Sequence, residues 1–172
     1  ELFRRQREMR AQQHNELANR LLSFGDEHYI EEMRFRALAK RAKETKTNSK
    51  GKFVSKKRFG KSISNKAPAL FVKTLEHKVI SSGGSFKRVD TFSVKASQFN
   101  HLTETFTKKN LSKRWNTMQD GTKVQRDLYS AFLIQNVDAT LKAVDVNRCN
   151  QSYDRFLQLH NQEVQRLSSM IT

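Results

Sequence analysis

Residues 124–133 place the tightest limit on what this chain can fold into. In them Asp127 precedes apolar side chains at helical spacing, which predicts a helix over 124–137. The upstream pair Asp120–Gly121 is a turn signal. A carboxylate at a helix N-terminus is favourable because it meets backbone N–H groups that lack an intrahelical partner. Asp127 is therefore either a simple helix start or a metal-binding carboxylate, and its local pattern allows both.

The charge of the chain indicates a polyanionic partner. Its 172 residues include 33 Lys and Arg against 17 Asp and Glu, a formal net charge of +16. Such an excess favours nucleic acid, because cations that neutralise phosphates release counterions. No apolar run is long enough for a transmembrane helix, and no lipidation signal is present, so no membrane partner is expected. Kinase and acyl-transfer motifs are also missing, which sets those enzyme classes aside.

Most of this charge lies in residues 34–61. The segment has twelve Lys and Arg but one acid, Glu44, which leaves a net charge of +11. Residues 43–60 are polar and without periodicity, as in a loop or a disordered insertion. Either the run contacts phosphates without reading bases, or it is a solvated loop with no fixed partner.

The remaining pattern alternates helices with short strands. A helix over 1–22 is followed by a strand near 27–33 and a short helix over 34–41. Ser64 or Asn65 is expected to cap a helix with Pro68 in its first turn, which ends at Gly83–Gly84. A strand over 85–94, a loop-rich or hairpin stretch over 95–122 and a helix over about 150–170 complete the chain. The order predicts an α/β fold.

Glu31, on the predicted strand, is a second candidate site residue. A strand with an acid, a helix, another strand and a helix with an acid fits the later part of a ribonuclease-H-like fold. Nucleases of that fold hold two divalent ions between carboxylates, and hard oxygen ligands suit Mg²⁺ or Mn²⁺. The simpler interpretation makes Glu31 a solvated acid of the pair Glu31–Glu32. Two carboxylates do not complete a two-metal site.

Three stretches resemble one known family. They are HNELANRLLSFGDEHYIEEM at 14–33, RFGKSISNKAPALFVKTLEHKVISSGG at 58–84 and KKNLSKRWNTMQDGTKVQRDLYSAFL at 108–133. They resemble the C-terminal half of TnpB, the transposon-associated RNA-guided DNA endonuclease related to type V CRISPR effectors. The resemblance implies a partial RuvC-like domain that cleaves DNA with Mg²⁺ or Mn²⁺. Glu31 then matches the second metal-binding catalytic carboxylate and Asp127 the third, while the first is expected upstream of residue 1.

The chain departs from the family at its zinc ribbon. The family usually has four cysteines between the second strand and the last catalytic helix, whereas this chain has a single cysteine, Cys149. The corresponding positions hold residues such as Asn100, Thr103, Met118 and Asp120. Zinc is therefore not expected, and the insertion is expected to survive as a hairpin packed on Phe99, Leu111 and Trp115. Trp115 could instead stack on a base.

The resemblance gives the following expectations for organisation and partners. Residues 1–94 form the later part of a RuvC-like domain, 95–122 a degenerate target-nucleic-acid-binding insertion without zinc, and 123–172 the C-terminal RuvC-like helices. The partners are a guide RNA, a target DNA and the missing N-terminal part of the same protein, in a bacterial cytoplasm near the nucleoid. Two alternatives are a nuclease-dead RNA-guided DNA-binding protein and a basic scaffold without a guide. The expected phosphate contacts are Arg34, Arg36, Lys40, Arg41, Lys56, Lys57, Arg58, Lys61, Lys113, Arg114 and Arg126.

Overall fold

Helices and small two-stranded sheets build the described part of the chain, which is compatible with the predicted α/β class. A computed structural model describes residues 1–41, 43–54, 59–108, 110 and 112–170. The helices are α1 (Leu2–Leu22), α2 (Phe35–Ala39), α3 (Gly60–Lys66), α4 (Pro68–Ser81), α5 (Thr91–Val94), α6 (Arg126–Gln135) and α7 (Val146–Ser169). The strands are β1 (Glu27–Glu31), β2 (Ser85–Val89), β3 (Phe99–Asn100), β4 (Thr105–Phe106), β5 (Trp115–Thr117) and β6 (Lys123–Gln125).

The chain folds as two compact units. The first comprises Glu1–His28 and Met33–Phe86, and the second comprises Tyr29–Glu32 and Lys87–Thr172. In the first unit α1 packs on α4, where Ala18, Leu75 and Val79 are buried. On α1 the partly buried Leu21 and Leu22 lie one turn beyond Ala18, and Leu75 and Val79 are one turn apart on α4, so the two faces exclude water from each other. The predicted helix over 1–22 is thereby confirmed.

The predicted cap of α4 is wrong. Neither Ser64 nor Asn65 caps it, because both lie within the separate short helix α3. Ala67 separates the two helices in a left-handed conformation with φ of 44°, and Pro68 opens α4. Proline disfavours the right-handed helical conformation at the residue before it. The chain therefore breaks at Ala67 instead of running from α3 into α4 as one helix.

The described part of the loop predicted over 43–60 has little regular structure. Residues 43–54 contain one isolated bridge, between Thr47 and Phe53, around a turn at Asn48. The Asn48 side chain accepts hydrogen bonds from the backbone N–H groups of Lys50 and Lys52. Lys56, Lys57 and Arg58 lie outside the described residues, as do Leu111 and Ile171.

Strands β1 and β2 form a two-stranded sheet. In the second unit the Lys87 Nζ donates to the Tyr29 hydroxyl at 2.9 Å, and the Glu32 N–H donates to the Val89 carbonyl at 3.1 Å. The contacts move forward along both strands together, from Tyr29 with Lys87 to Glu32 with Val89, as in a parallel pair. The end of β1, which carries Glu31, therefore lies beside the end of β2.

The strand predicted over 85–94 is shorter than expected. β2 ends at Val89, and the Asp90 carboxylate then accepts hydrogen bonds from the Phe92 and Ser93 N–H groups to start α5. Asp satisfies these N–H groups well, so a helical turn replaces the last part of the strand. Phe92, expected as an apolar strand position, is 66% exposed.

Two antiparallel hairpins follow α5, one of β3 with β4 and one of β5 with β6. α6 begins only at Arg126, because Val124 pairs with Asn116 in the second hairpin. The core of the second unit is an apolar cluster contributed by α5, the hairpins, α6 and α7. It includes Val94, Phe99, Val124, Tyr129, Phe132, Leu133, Cys149 and Tyr153.

α7 starts earlier than predicted. The Asp145 side chain accepts from the Arg148 N–H, so the helix begins at Val146 instead of near residue 150. Tyr153 and Phe156 face the core, as the periodicity predicts. Leu167, expected on the same apolar face, is exposed near the end of the helix.

Candidate functional site

Asp127 lies in the first turn of α6, at the junction between a hairpin and a helix. Gln125 is the cap residue, and its side-chain oxygen accepts from the Leu128 N–H at 2.7 Å. The Asp127 carboxylate is 62% exposed. Its position near the helix N-terminus favours its negative charge. The helix start therefore presents an accessible carboxylate to solvent.

Two arginines flank this carboxylate. The Arg126 Nε donates to Asp127 Oδ1 at 3.3 Å, and one Arg114 guanidinium nitrogen lies 3.8 Å from Oδ2. The Gln125 side-chain amide donates to Oδ2 at 3.3 Å. Three of the residues predicted from sequence, Asp127, Arg114 and Arg126, are thus brought together.

Arg126 also connects α6 to the strand edge before β5. Its side chain is only 13% exposed, and it donates to the Lys113 carbonyl at 3.3 Å. The Arg126 backbone N–H donates to the Arg114 carbonyl at 2.8 Å. Its role is therefore partly structural, whereas the Arg114 side chain is 65% exposed and accessible to an anion.

His160 supports the same junction from α7, and sequence reasoning missed it. The ring is buried, and its Nε2 accepts the Gln125 N–H at 2.9 Å. Its Nδ1 lies 2.9 Å from the Asn161 side-chain oxygen, and its ring meets Trp115 edge-on at 6.0 Å. The available signal was helical spacing, since His160 follows Phe156 by four residues on an apolar face.

Glu31 ends β1 and is half-buried. Burial raises the pKa of its carboxyl group above the usual value, since desolvation penalises the charged form. Within the described residues Glu31 has no ion pair to offset this penalty. A half-buried acid of this kind is a functional-site candidate, because a bound cation would stabilise its ionised form.

Glu31 and Asp127 belong to the same unit. Within the described residues no hydrogen bond joins their side chains, and no group of three or more His, Cys, Asp or Glu side chains is arranged to hold a metal ion. The two carboxylates offer the hard oxygen donors that Mg²⁺ and Mn²⁺ prefer. Their chemistry would suit such an ion, and two carboxylates alone would not complete its ligand set.

The other predicted phosphate contacts lie elsewhere. In the first unit Arg34, Arg36, Lys40 and Arg41 surround α2 with exposed side chains, and Lys61 is exposed at the start of α3. Exposed cations of this kind suit phosphate contacts that carry no sequence information. Lys113 is exposed in the second unit, close to the Asp127 junction.

The hairpins at the predicted ribbon position have polar and apolar side chains where the family has thiolates. Met118 is buried in the core, and the Asp120 carboxylate accepts from the Thr122 N–H within its own turn. The Thr103 hydroxyl bonds to that of Thr105. These donors do not fit a thiolate-rich zinc site. Of the expected anchors, Phe99 is buried, whereas Trp115 is 47% exposed.

An aromatic cluster centred on His101 fills the space beneath the hairpins. Its Nδ1 lies 2.6 Å from the Tyr129 hydroxyl, which also accepts the His101 backbone N–H at 3.2 Å. Burial lowers the pKa of His101 and raises the pKa of Tyr129 well above its usual range. The Cys149 thiol is also buried, which raises its pKa to about 12. These groups are neutral core residues without accessible reactive atoms.

No protein-family model matches this chain, and no curated protein matches it closely enough to count as a relative. Among the described residues no helix combines the length and the apolar character needed to cross a membrane.

Proposed function

We propose that this chain is the C-terminal RuvC-like part of a TnpB-like RNA-guided DNA endonuclease. The observation that carries the proposal is the position of the two carboxylates. Glu31 ends a strand, Asp127 starts a helix, and both belong to one compact unit. Strand ends and helix starts are the positions from which a ribonuclease-H-like nuclease presents metal ligands, so the residues that match the family motif also have suitable settings.

Glu31 and Asp127 would hold Mg²⁺ or Mn²⁺, together with the further carboxylate that the resemblance implies. Bound there, the ions would supply an activated water and stabilise the leaving oxygen in phosphodiester hydrolysis. The Glu31 carboxylate is suited to this role because a nearby dication lowers the cost of its burial. Asp127 is already held in place by Gln125 and Arg126.

Arg114 would orient the DNA strand next to these carboxylates. Its guanidinium is exposed and lies 3.8 Å from the Asp127 carboxylate. A planar guanidinium matches two phosphate oxygens at once, so it suits a backbone contact near the scissile bond. The basic residues around α2 would contact the guide RNA or the target DNA by charge alone. These partners imply a location near the bacterial nucleoid.

A nuclease-dead RNA-guided DNA-binding protein is the second candidate. It is favoured by one observation, that Arg114 and Arg126 both lie within ion-pair distance of the Asp127 carboxylate. In that case the carboxylate would serve the fold, and the basic surfaces would still bind nucleic acid. A basic scaffold without a guide is the third candidate, and only the identity of bound RNA separates it from the second.

The experiment is purification of the full-length protein from its host, followed by sequencing of bound RNA and incubation with matching DNA and Mg²⁺. A defined RNA together with cleavage at the matching site supports the endonuclease. A defined RNA with binding but no cleavage supports the dead binder. Heterogeneous RNA that tracks cellular abundance supports the unguided scaffold and refutes the proposal.

A further inference from the structure

The first unit contains a cavity of about 550 Å³ between α1 and the junction of α3 with α4. One wall comes from a single face of α1, where Gln6, Met9, Gln13 and Leu17 follow one another at helical spacing. The opposite wall includes Phe71. This volume lies in the range of small-ligand sites.

His14 lines the cavity and has a buried ring nitrogen without a hydrogen-bond partner in the described part of the chain. Its Nε2 lies 3.0 Å from the Lys66 carbonyl oxygen. A carbonyl only accepts, so Nε2 carries the proton, and in the neutral ring Nδ1 is an acceptor. Nδ1 is buried and has no partner within the described residues. A buried polar atom without a partner is costly, so the His14 ring is under-satisfied in this wall of the cavity.

The lining combines flat apolar surface with amide groups. Phe71 meets the His14 ring edge-on at a centroid distance of 5.5 Å, and Met9 and Leu17 expose apolar surface. Gln6 and Gln13 add side-chain amides from α1. An apolar helix seated here would leave these amides unpaired. A planar heterocycle with donors and acceptors at its edge satisfies both kinds of surface.

The charge around the cavity indicates that this heterocycle carries phosphate. Arg10 lines the cavity, and one of its guanidinium nitrogens donates to the Ser64 carbonyl at 3.2 Å. Its remaining donors are suited to an anion. Arg5 and Arg7 add exposed cations on the same helix. A phosphate that flanks an extruded base would meet the Arg10 guanidinium.

We propose that the cavity binds one unstacked base of a single-stranded nucleic acid. The inference rests on the nucleic-acid binding of the proposed function and names the form of strand that the first unit recognises. The base stacks against the apolar wall, and its polar edge pairs with the side-chain amides of Gln6 and Gln13. Recognition of an unpaired base in this way differs from the phosphate contacts that we expect of the basic residues in 34–61.

The test compares two neighbouring glutamines of α1. Gln13→Trp fills the cavity. Gln12→Trp adds the same bulk outside the lining, at a residue whose side-chain amide donates to the exposed Glu16 side chain. Affinities of the full chain are measured by fluorescence anisotropy with a short single-stranded RNA and with the same sequence as a duplex. Gln13→Trp is expected to weaken single-strand binding about tenfold, in the range for one stacked base. It leaves duplex binding unchanged, and Gln12→Trp changes neither.

Equal effects of the two variants would overturn the proposal, as would an equal loss for single strand and duplex. Nucleoside monophosphates form a further arm, and their displacement of the RNA at low concentration would assign the cavity to free nucleotides and refute strand binding. If Gln13→Trp does not fold, Gln13→Met keeps the side-chain length, removes the amide and is expected to weaken single-strand binding in the same direction. A wild-type chain that binds neither RNA would instead refute the nucleic-acid part of the proposed function.

Discussion

The hydrogen bond from the Gln125 N–H to His160 allows the Asp127 junction to be tested directly. His160→Phe keeps an aromatic ring beside Trp115 and Phe156 and removes the acceptor. His160→Gln removes the ring but offers an amide oxygen in place of Nε2. The two variants therefore separate the hydrogen bond from the ring packing.

The magnitude follows from burial. His160 is buried, so in His160→Phe the Gln125 N–H loses its partner with little access to water. Such an unsatisfied donor costs about 1–3 kcal/mol. For a chain of this size, each kcal/mol lowers the melting temperature by about 2–4 °C. Because Gln125 also caps α6 and holds Asp127, the same variant is expected to slow DNA cleavage in the full-length protein.

The assay is a denaturant titration in which tryptophan fluorescence monitors unfolding. Trp115 is the single tryptophan of the chain and lies in the second unit, so its signal reports that unit. His160→Phe is expected to lower the free energy of unfolding by the stated amount, and His160→Gln by clearly less. Asn161→Ala is the control for the Nδ1 contact. If His160→Phe is as stable as wild type, the junction does not depend on this bond.

Three further predictions follow from the structure and the sequence. Burial lowers the pKa of His101 in the folded protein, so on acidification the unfolded chain takes up a proton at this site before the folded one does. The contribution of neutral His101 to the free energy of unfolding is therefore complete above pH about 6.5 and is lost as the pH drops through the folded pKa. Denaturant titrations at several pH values are expected to show the free energy of unfolding falling below pH about 6.5 in wild type, and falling less steeply in His101→Phe. The same pH dependence in both proteins would contradict the prediction. Elemental analysis is expected to show no stoichiometric zinc, whereas about one ion per chain would refute the interpretation of the hairpins. Neutralising four cations of the 34–61 segment is expected to weaken nucleic-acid binding equally for all sequences. It should also flatten the salt dependence of binding, by up to about 0.9 in slope per lost duplex phosphate contact. An unchanged slope and affinity would mean that the segment is only a solvated loop. These cations are Lys56, Lys57, Arg58 and Lys61.

Long periodic elements were predictable from sequence because their burial follows from local spacing. Helix α1 and the core face of α7 near Tyr153 match the expected pattern. Element boundaries were less predictable, since capping interactions decide them. Asp90 and Asp145 each start a helix by accepting backbone N–H groups, which apolar periodicity does not reveal.

The candidate site was predictable only in part. Asp127 and its neighbour Arg114 were identified from the motif, and the structure brings them together. His160 was missed because its contact with Gln125 joins residues that are far apart in sequence. The half-buried setting of Glu31 also depends on packing, which the pair Glu31–Glu32 does not encode locally.

The central claim is that Glu31 and Asp127 hold the catalytic metal ions. The most direct measurement is single-turnover cleavage of matching DNA by the full-length protein with its guide RNA and Mg²⁺. The rate is compared between wild type, Glu31→Ala and Asp127→Ala. The control is Asp154→Ala, which removes an exposed acid on α7. We expect each of the first two variants to lose cleavage while it binds guide RNA as wild type does, and the control to cut normally. Cleavage by either Glu31→Ala or Asp127→Ala at a rate near wild type would contradict the claim.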